Sequence, residues 1–588
     1  MGRGRTETHH QHAKSETGVI RKNWKGKTSI VLVFPNHYAV GLPNLGFQSV
    51  YRLLNSLESV VCERAFLPEF PGPAASVESN SNLEDFDIIA FSISFENDYL
   101  NLLTLLKDAG IPPLSSHRNE AHPLVIAGGV ACFINPEPIA HFIDCFLIGE
   151  AEHLLPRFID CVDSCSNHRA LLIELANTVP GAYIPAFYED HYSSEGVLES
   201  LTPIGKPPFP RKITRVHVPH LEDTPTQSVV ITPHSSFGNA CLIEVSRGCP
   251  HGCRFCSAGF VYRPPRFRPL PLLQECIRKG AEMSPRIGLV GAAVSDLPGL
   301  GMLCDQARDM GVQLSFSSLR ADALTADLVT SLAQSRVKTA TIAPDAGSER
   351  MRRVINKGVT ESQILDATTA LVAAGIPNLK LYFMVGLPTE TIEDVEAIVT
   401  LCQKVKAAFL ESSRAQGRIG EMTISVNAFI PKPATPFQWA AMDAMPLLKK
   451  KLAMIIRGLK HVPNVRVEAN SFKQAAVQAF LSRGDRRASD LLIRAVHNKG
   501  NWGKTFRETP QFSLSFYIHR QRPLDEVLPW DHIDNGVQKN FLVKEYLKAL
   551  EGKTSPPCPM TGCQLCGACD TGQMTDDRRQ ATDHFSAL

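Results

Sequence analysis

Two successive series of apolar, strand-like runs, each run followed by a helical segment, constrain this fold more than any other feature of the sequence. The first series has five strand candidates, which are residues 29–34, 60–66, 86–94, 123–129 and 144–149. Continuous apolar runs of this length are typical of strands that are buried on both faces of a parallel sheet. The alternation predicts an α/β domain of doubly wound, flavodoxin-like type over residues 29–195.

A second series, over residues 236–445, has six strand candidates with helical segments between them. The candidates are residues 240–246, 287–290, 312–317, 338–343, 379–385 and 422–429. A full TIM barrel needs eight such units, so six predict a partial, open (β/α)6 barrel. In both fold types ligands bind beyond the carboxyl ends of the strands, and we expect the functional residues in the loops that follow them.

The other segments are predicted to extend, connect or close these two domains. Residues 1–28 are polar and basic without an apolar signal core, and they predict a disordered tail. Residues 196–235 are rich in Pro, Lys and Arg and predict a linker on the surface. A smaller, mostly helical region is predicted over 446–555, a four-cysteine metal cluster over 556–570 and a polar tail over 571–588.

Composition places the chain among ordinary globular proteins. Its 588 residues are 44% hydrophobic and 20% charged, which is sufficient for a substantial core. The net charge of +2 gives no overall field toward nucleic acid or a membrane surface. No apolar run approaches the roughly 20 residues of a membrane-spanning helix, and we expect a cytoplasmic protein.

The sixteen cysteines divide into two tight clusters and a scattered set. Without a signal peptide a disulfide framework is not expected, and the clusters are typical of metal sites in a reducing compartment. The scattered thiols lie in apolar settings and are predicted to be buried and inert. They are Cys62, Cys132, Cys145, Cys161, Cys165, Cys241, Cys276, Cys304 and Cys402.

The first cluster, Cys249, Cys253 and Cys256, has the spacing C-x3-C-x2-C and follows the first barrel strand directly. Three thiolates leave a tetrahedral site one ligand short. A zinc site would recruit a neighbour such as His251, and a structural disulfide is a second alternative. The third is a [4Fe–4S] cluster with one iron left open.

This cluster resembles the signature of radical S-adenosylmethionine (radical SAM) enzymes, including the aromatic Phe255 before the last cysteine. The resemblance implies that Cys249, Cys253 and Cys256 bind three irons and that S-adenosylmethionine chelates the fourth. One electron from an external donor of flavodoxin or ferredoxin type then cleaves S-adenosylmethionine. The resulting 5′-deoxyadenosyl radical abstracts hydrogen from a substrate that the sequence does not identify.

Segments after later barrel strands resemble further radical SAM motifs, and "APDAGSERMRRVINKG" over residues 343–358 resembles the methylthiotransferase and elongator-type branch. The resemblance implies that these segments contact S-adenosylmethionine. A surface salt bridge at Arg320 and an ordinary helix start after Gly386 are the structural alternatives. The candidate cofactor residues are Phe255, Gly291, Ala292, Ser318, Arg320, Gly347, Ser348 and Gly386.

A flavodoxin-like domain before such a barrel resembles the cobalamin-binding arrangement of one radical SAM class. The family fingerprint Asp-x-His-x-x-Gly aligns with Asn36, Tyr38 and Gly41, so the cobalt-ligating His is absent. A cobalamin site without a protein ligand on cobalt, a domain reused for substrate and a scaffold remain open. The candidate cobalamin residues are Asn36, Tyr38, Gly41, Gly128, Gly129 and Gly149. From Ser29 to Cys569 the chain resembles an uncharacterised bacterial radical SAM family with a B12-binding-like domain.

The second cluster, Cys558, Cys563, Cys566 and Cys569, has the spacing C-x4-C-x2-C-x2-C and supplies all four ligands. It is interpreted as an auxiliary [4Fe–4S] cluster or a structural zinc site.

Two basic segments leave RNA open as a substrate. Interleaved Arg and aromatic residues grip phosphates and stack on bases, whereas ordinary salt bridges are the structural alternative. The arginines are Arg263, Arg266, Arg268, Arg483, Arg486 and Arg487. The leading hypothesis is therefore a radical SAM enzyme that carries out cobalamin-dependent methylation, RNA modification or another radical reaction. The alternative is a non-catalytic iron–sulfur protein for electron transfer or cobalamin sensing.

Overall fold

The computed structural model describes residues 14–205, 208–222, 224–317, 319–415, 417, 419–560 and 562–569. The first half is built on one sheet with the strand order β2-β1-β3-β4-β5-β6. Its first five strands are parallel, and β6 pairs antiparallel with β5. The strands are β1 (Thr28–His37), β2 (Val60–Leu67), β3 (Ile88–Ser92), β4 (Leu124–Gly128), β5 (Cys145–Leu147) and β6 (Ala182–Tyr183).

Both faces of this sheet are covered, as the apolar strand runs require. Along β1, Val31 and Val33 belong to one buried cluster, whereas Ile30 and Leu32 belong to another on the opposite face. The covering helices are Tyr38–Gly41, Leu45–Ser56, Tyr99–Asp108, Val130–Ile134, Ala151–Ser164 and His168–Thr178. All five predicted strands are present, and the mixed α/β fold is confirmed.

The second half has seven parallel strands in the described part of the chain, divided between two sheets. Three form the order β10-β13-β14 and four form the order β15-β16-β17-β18. They are β10 (Cys241–Glu244), β13 (Arg286–Val290), β14 (Gln313–Phe316), β15 (Thr339–Asp345), β16 (Asn378–Val385), β17 (Met422–Ala428) and β18 (Val465–Ala469). The architecture is that of a partial barrel with one strand more than the predicted six.

The additional strand, β18, corrects the prediction that residues 446–555 are helical and then irregular. It pairs only with β17, at the edge of the sheet, and its residues are exposed or half-buried. An edge strand that carries Arg466 and Glu468 lacks the apolar run by which buried strands are predicted. The helices of the second half are Leu270–Met283, Leu300–Asp309, Ala326–Gln334, Glu349–Val354, Glu361–Ala373, Ile392–Ala415, Met445–Leu459, Phe472–Arg483, Ala488–His497, Trp502–Glu508 and Lys539–Leu550.

The described residues also form three two-stranded sheets. They are the antiparallel pair β7 (Tyr188–Tyr192) with β8 (Leu198–Pro203), the parallel pair β9 (Ile213–Thr214) with β19 (Ile533–Asp534), and the antiparallel pair β11 (Ser246–Arg247) with β12 (Arg266–Phe267). No helix in the described ranges is long and apolar enough to cross a membrane.

Two segments predicted to be unstructured are packed instead. The Glu16 carboxylate pairs with the buried guanidinium of Arg64 at 2.7 Å, so the prediction of a disordered tail is wrong for residues 14–28. The predicted surface linker contributes β8 and β9, and it buries Arg215 and Val230. Polar composition did not reveal this because the buried charges are paired with charges far away in the sequence. Residues 1–13 and 570–588 of the predicted tails lie outside the described residues.

Candidate functional site

The three cysteines of the first cluster lie on an excursion between β11 and β12, which pair with each other and close its base. This segment, residues 248–265, is called the cysteine loop below. Gly248 begins it with φ +78°, and a Cβ there would lie 2.7 Å from the Tyr262 carbonyl oxygen. The loop therefore begins at the carboxyl end of β10, where the barrel prediction expected function.

Arg254, between the second and third cysteines, anchors the loop from inside. Its side chain is fully buried, and its Nη1 donates to the carbonyl oxygens of Arg353 and Val354 at 3.1 and 2.9 Å. Its Nη2 contacts the Glu545 carboxylate at 3.1 Å. Because these partners come from two other segments of the chain, the loop is held from several sides.

Positive charge lies next to the thiols of this loop. Burial raises the pKa of the Cys249 thiol to about 12 and that of Cys256 to about 11. At Cys253 burial also raises the pKa, while the positive charges of Lys357 and Arg320 oppose the increase. Lys357 donates to the Asp345 carboxylate at 2.6 Å. Burial alone disfavours the ionised thiolates, and the nearby positive charges of Lys357 and Arg320 stabilise them.

His251, the candidate fourth ligand of a zinc site, contacts the Asp296 carboxylate through Nε2 at 2.5 Å. Across the ranges that the structure describes, no group of three or more His, Cys, Asp or Glu side chains forms a single-ion site. The thiolates of a cubane each bind a different iron, so they need not converge as closely as the ligands of one ion. The sixteen cysteines, all of them among the described residues, form no disulfide. Eight of the nine scattered cysteines are buried as predicted, and Cys165 is partly exposed.

A cavity of about 480 Å³ lies between the first sheet and the barrel. Its volume falls within the range of small-molecule sites. Gly128, Gly129 and Gly149 line it from the strand ends of the first sheet, and Gly291 and Ala292 line it from the end of β13. The cysteine loop contributes residues 248, 258 and 262 to the wall. The carboxyl ends of both sheets thus face one shared space.

Buried charges join the two halves beside this cavity. Glu150, from the first half, contacts Arg247 at 2.9 Å and Arg266 at 2.6 Å, and Arg215 lies 3.8 Å away. Burial would raise the pKa of Glu150, but the three guanidinium groups outweigh it and hold the pKa at about 2. The sequence offered one signal for this network, since Glu150 follows a strand end, but its partners could not be deduced.

The candidate S-adenosylmethionine residues do not all lie together. Gly291 and Ala292 line the cavity, and Arg320 is close to Cys253. Phe255 packs against an apolar cluster that includes the C-terminal helix. Ser318 lies outside the described residues.

The remaining three candidates have packing contacts of their own. A Cβ on Gly347 would lie 2.2 Å from the Ile398 backbone nitrogen, and Ser348 caps the helix Glu349–Val354. Gly386 has φ +84° and donates its N–H to the Glu390 carboxylate. These contacts explain the residues structurally, and their contact with a cofactor stays a prediction.

The candidate cobalamin residues also separate. Asn36 donates to Asp98 at 2.8 Å and Tyr38 donates to Glu16 at 2.6 Å. Gly41 is enclosed by the rings of Phe34 and Phe66. The fingerprint positions are thus used in local packing, whereas the three glycines of the later strands line the cavity.

The arginines of the two basic segments are mostly buried and have partners within the protein, which favours the salt-bridge alternative over an RNA-binding surface. Arg263 stacks on Phe260 and Phe541, while Arg266 and Arg268 pair with Glu150 and Glu244. Arg483 is fully buried, Arg486 pairs with Glu137, and Arg487 pairs with Asp485. Salt bridges or ring stacking account for most of these guanidinium groups, and Arg487 is the most exposed of them, with a side chain that is 33% exposed.

Comparison with known proteins identifies the family. A family model described as "Radical SAM proteins, N-terminal" matches residues 46–185, and one described as "Radical SAM superfamily" matches residues 243–402. The uncharacterized protein MJ0966 of Methanocaldococcus jannaschii is 31% identical over 517 residues, which cover 88% of this chain and 99% of that protein. The chain belongs to the radical SAM superfamily. Membership implies a [4Fe–4S] cluster and S-adenosylmethionine as cofactors, and it implies an enzyme.

Three solved structures are similar to part of this radical SAM protein. SuiB from Streptococcus suis, bound to S-adenosylmethionine, has a TM-score of 0.28 at 12% identity, covering 39% of this chain and 50% of SuiB. Coproporphyrinogen III oxidase (HemN) from Escherichia coli has a TM-score of 0.29 at 13% identity, covering 37% and 51%. HydG from Carboxydothermus hydrogenoformans has a TM-score of 0.27 at 13% identity, covering 46% and 74%. The chain spans about half the length of the first two structures.

Proposed function

We propose that this radical SAM protein cleaves S-adenosylmethionine reductively at a [4Fe–4S] cluster held by Cys249, Cys253 and Cys256. The observation that carries the proposal is the place of the cysteine loop, at the carboxyl end of β10 and in the wall of the cavity. When bound, the cluster and S-adenosylmethionine supply a 5′-deoxyadenosyl radical. Three thiolates leave one iron for the amine and carboxylate of S-adenosylmethionine.

The chain's own residues orient the cofactors and exclude water. Arg254 holds the segment between two cysteines in place, and Lys357 and Arg320 stabilise negative charge near Cys253. Gly291 and Ala292 allow a ligand to approach the backbone at the end of β13. An enclosed site protects a reactive radical from side reactions.

The first half is proposed to be a flavodoxin-like domain that forms the opposite wall of the substrate cavity. Its strand order, β2-β1-β3-β4-β5, supports this because it is the order of flavodoxin-like sheets, which bind ligands at their carboxyl ends. Binding of cobalamin is a second candidate role, favoured by Gly128, Gly129 and Gly149 in the cavity wall. Corrinoid absorbance bands after anaerobic loading would support it, and their absence would reject it.

RNA is not favoured as a substrate, because the six arginines of the two basic segments have partners within the protein. A small molecule that enters the cavity is the class of substrate that its size favours. An external one-electron donor of flavodoxin or ferredoxin type remains part of the proposal. The lack of disulfides among the described cysteines is compatible with the proposed reducing, cytoplasmic location.

The decisive experiment is anaerobic reconstitution followed by reduction in the presence of S-adenosylmethionine. The native protein should release 5′-deoxyadenosine, and its reduced cluster should change its electron paramagnetic resonance spectrum when S-adenosylmethionine is added. Cys253→Ala should lose both properties and release iron, whereas Cys165→Ala, at a partly exposed scattered thiol, should retain them. A full, reducible cluster in the native protein that yields no nucleoside would instead favour the non-catalytic alternative.

A further inference from the structure

We propose that the terminal cysteine loop, residues 558–569, is a second and closed iron–sulfur site that is docked on the cysteine loop. The inference rests on the proposed function, because it concerns a neighbour of the cluster at Cys249, Cys253 and Cys256. Its four thiolates complete a site by themselves. A closed cluster of this kind stores or transfers an electron and leaves no iron for substrate.

The backbone of the terminal cysteine loop bends repeatedly. Its described residues form neither helix nor strand, and Met560, Gly562 and Gly567 have φ values of +67°, +67° and +84°. Left-handed residues reverse the direction of a chain within a few positions. Four cysteines fall within twelve residues of this turning segment, and Cys566 is only 3% exposed.

The start of the terminal cysteine loop is hydrogen-bonded to the cysteine loop. The Cys558 N–H donates to the Pro250 carbonyl oxygen at 2.7 Å, directly after Cys249. Three residues earlier, the Ser555 N–H donates to the Asn356 side chain at 2.8 Å. The same Asn356 side chain donates to the Gly252 carbonyl oxygen at 3.2 Å. Two neighbouring contacts therefore place the two cysteine segments side by side.

One helix supports both loops from the other side. The Gln538 N–H, just before the helix Lys539–Leu550, donates to the Cys566 carbonyl oxygen at 2.9 Å. Within the helix, the Phe541 ring lies 5.2 Å from the Arg263 guanidinium, and Glu545 holds Arg254. The terminal cysteine loop and the cysteine loop thus share a rigid element.

The spacing favours iron over zinc. Cys563, Cys566 and Cys569 form C-x2-C-x2-C, which is the run found in bacterial ferredoxins, with Cys558 as the fourth ligand. Structural zinc sites more often combine two separated pairs of ligands.

Two full-length variants separate the sites, after anaerobic reconstitution and counting of iron, sulfide and zinc. The variant Cys249→Ala/Cys253→Ala/Cys256→Ala keeps only the terminal site, and Cys563→Ala/Cys566→Ala keeps only the first. We expect about eight irons in the native protein and about four in each variant, with a reducible [4Fe–4S] electron paramagnetic resonance signal in both. Cys165→Ala, which changes a cysteine outside both loops, should keep all eight.

The outcomes distinguish this inference from the proposed function. The inference is overturned if the triple variant binds no iron, or if it binds one zinc, while the native protein holds about four irons. The proposed function fails separately if Cys563→Ala/Cys566→Ala holds four irons but its electron paramagnetic resonance spectrum does not change when S-adenosylmethionine is added. Should Cys563→Ala/Cys566→Ala fail a circular dichroism test of folding, Cys569→Ser at the partly exposed end of the loop replaces it, and Cys253→Ala replaces the triple variant in the same case, with loss of about half the iron expected from each.

Discussion

Buried arginines join parts of this molecule that are far apart in the sequence. Arg64, Arg254 and Arg268 are at most 2% exposed. A buried cation is tolerated only when carboxylates and carbonyl oxygens surround it, because its desolvation costs several kcal/mol. Each of these side chains therefore fixes the position of the segments that contact it, and Arg254 does so for the cysteine loop.

We expect Arg254→Met to destabilise the protein by about 1–3 kcal/mol, because it removes the guanidinium partner of Glu545, whose carboxylate keeps Lys548 and Ser555 as partners. Urea unfolding followed by circular dichroism measures the change. Arg278→Met is the matched control, since Arg278 forms only exposed pairs on the helix Leu270–Met283 and should change little. An equal loss in both variants would contradict a special role for Arg254.

Close packing between elements explains a motif that was predicted to contact a cofactor. Gly347 and Ser348 follow β15 and begin the helix Glu349–Val354, where the Ser348 hydroxyl accepts the Met351 N–H and donates to Asp394 at 2.6 Å. Gly347 lies against the backbone of the helix Ile392–Ala415. The Gly-Ser pair is therefore required by helix packing and capping, whatever else it contacts.

Gly347→Ala should destabilise the barrel by about 1–3 kcal/mol, because the new methyl group would overlap the Ile398 backbone. Gly301→Ala is the comparison, since its Cβ would meet nothing closer than 3.7 Å inside the helix Leu300–Asp309. That variant should be neutral or stabilised by up to about 1 kcal/mol. Thermal unfolding of both variants tests the contrast, and equal melting temperatures would refute the packing explanation.

At the scale of the whole molecule, the two halves form one continuous body. A single buried cluster contains Val31 and Ile89 of the first sheet together with Ile243 and Leu289 of the barrel. Charged pairs reinforce the junction, such as Glu96 with Lys432 at 2.6 Å. The shared cavity therefore has walls that are held in place by the core on both sides.

The junction should weaken in acid through Glu150. Its pKa is about 2 in the folded protein and about 4.3 in an unfolded chain. A lowered folded pKa adds stability that is complete above the unfolded value and is lost as the pH falls toward 2. The shift corresponds to about 3 kcal/mol at neutral pH.

Glu150→Gln should remove this contribution. The stability difference between the native protein and Glu150→Gln, measured by urea unfolding at several pH values, should be largest at pH 7 and shrink between about pH 4.5 and pH 2. Glu282→Gln, at an exposed helix position, should show no such pH-dependent difference. A difference for Glu150→Gln that stays constant with pH would contradict the proposed cause.

Much of the architecture was predictable because it depends on local pattern. Buried parallel strands appear as apolar runs, so the five strands of the first sheet and the first six of the barrel could be located. The short spacing of its cysteines also revealed the cysteine loop, because the ligands that one loop supplies to one metal centre lie close together in the sequence. The family membership agrees with that part of the prediction.

Contacts between residues far apart in the sequence were not predictable, because the type of a charged residue or a glycine does not indicate which distant residue it will contact. The arginines at 263–268 and 483–487 left RNA binding open, yet Arg266 and Arg486 pair with Glu150 and Glu137, which lie more than a hundred residues away. The exposed strand β18 gave no apolar signal. The shared cavity and the hydrogen bond from Cys558 to Pro250 also depend on tertiary packing, because each is formed by segments that are far apart in the sequence.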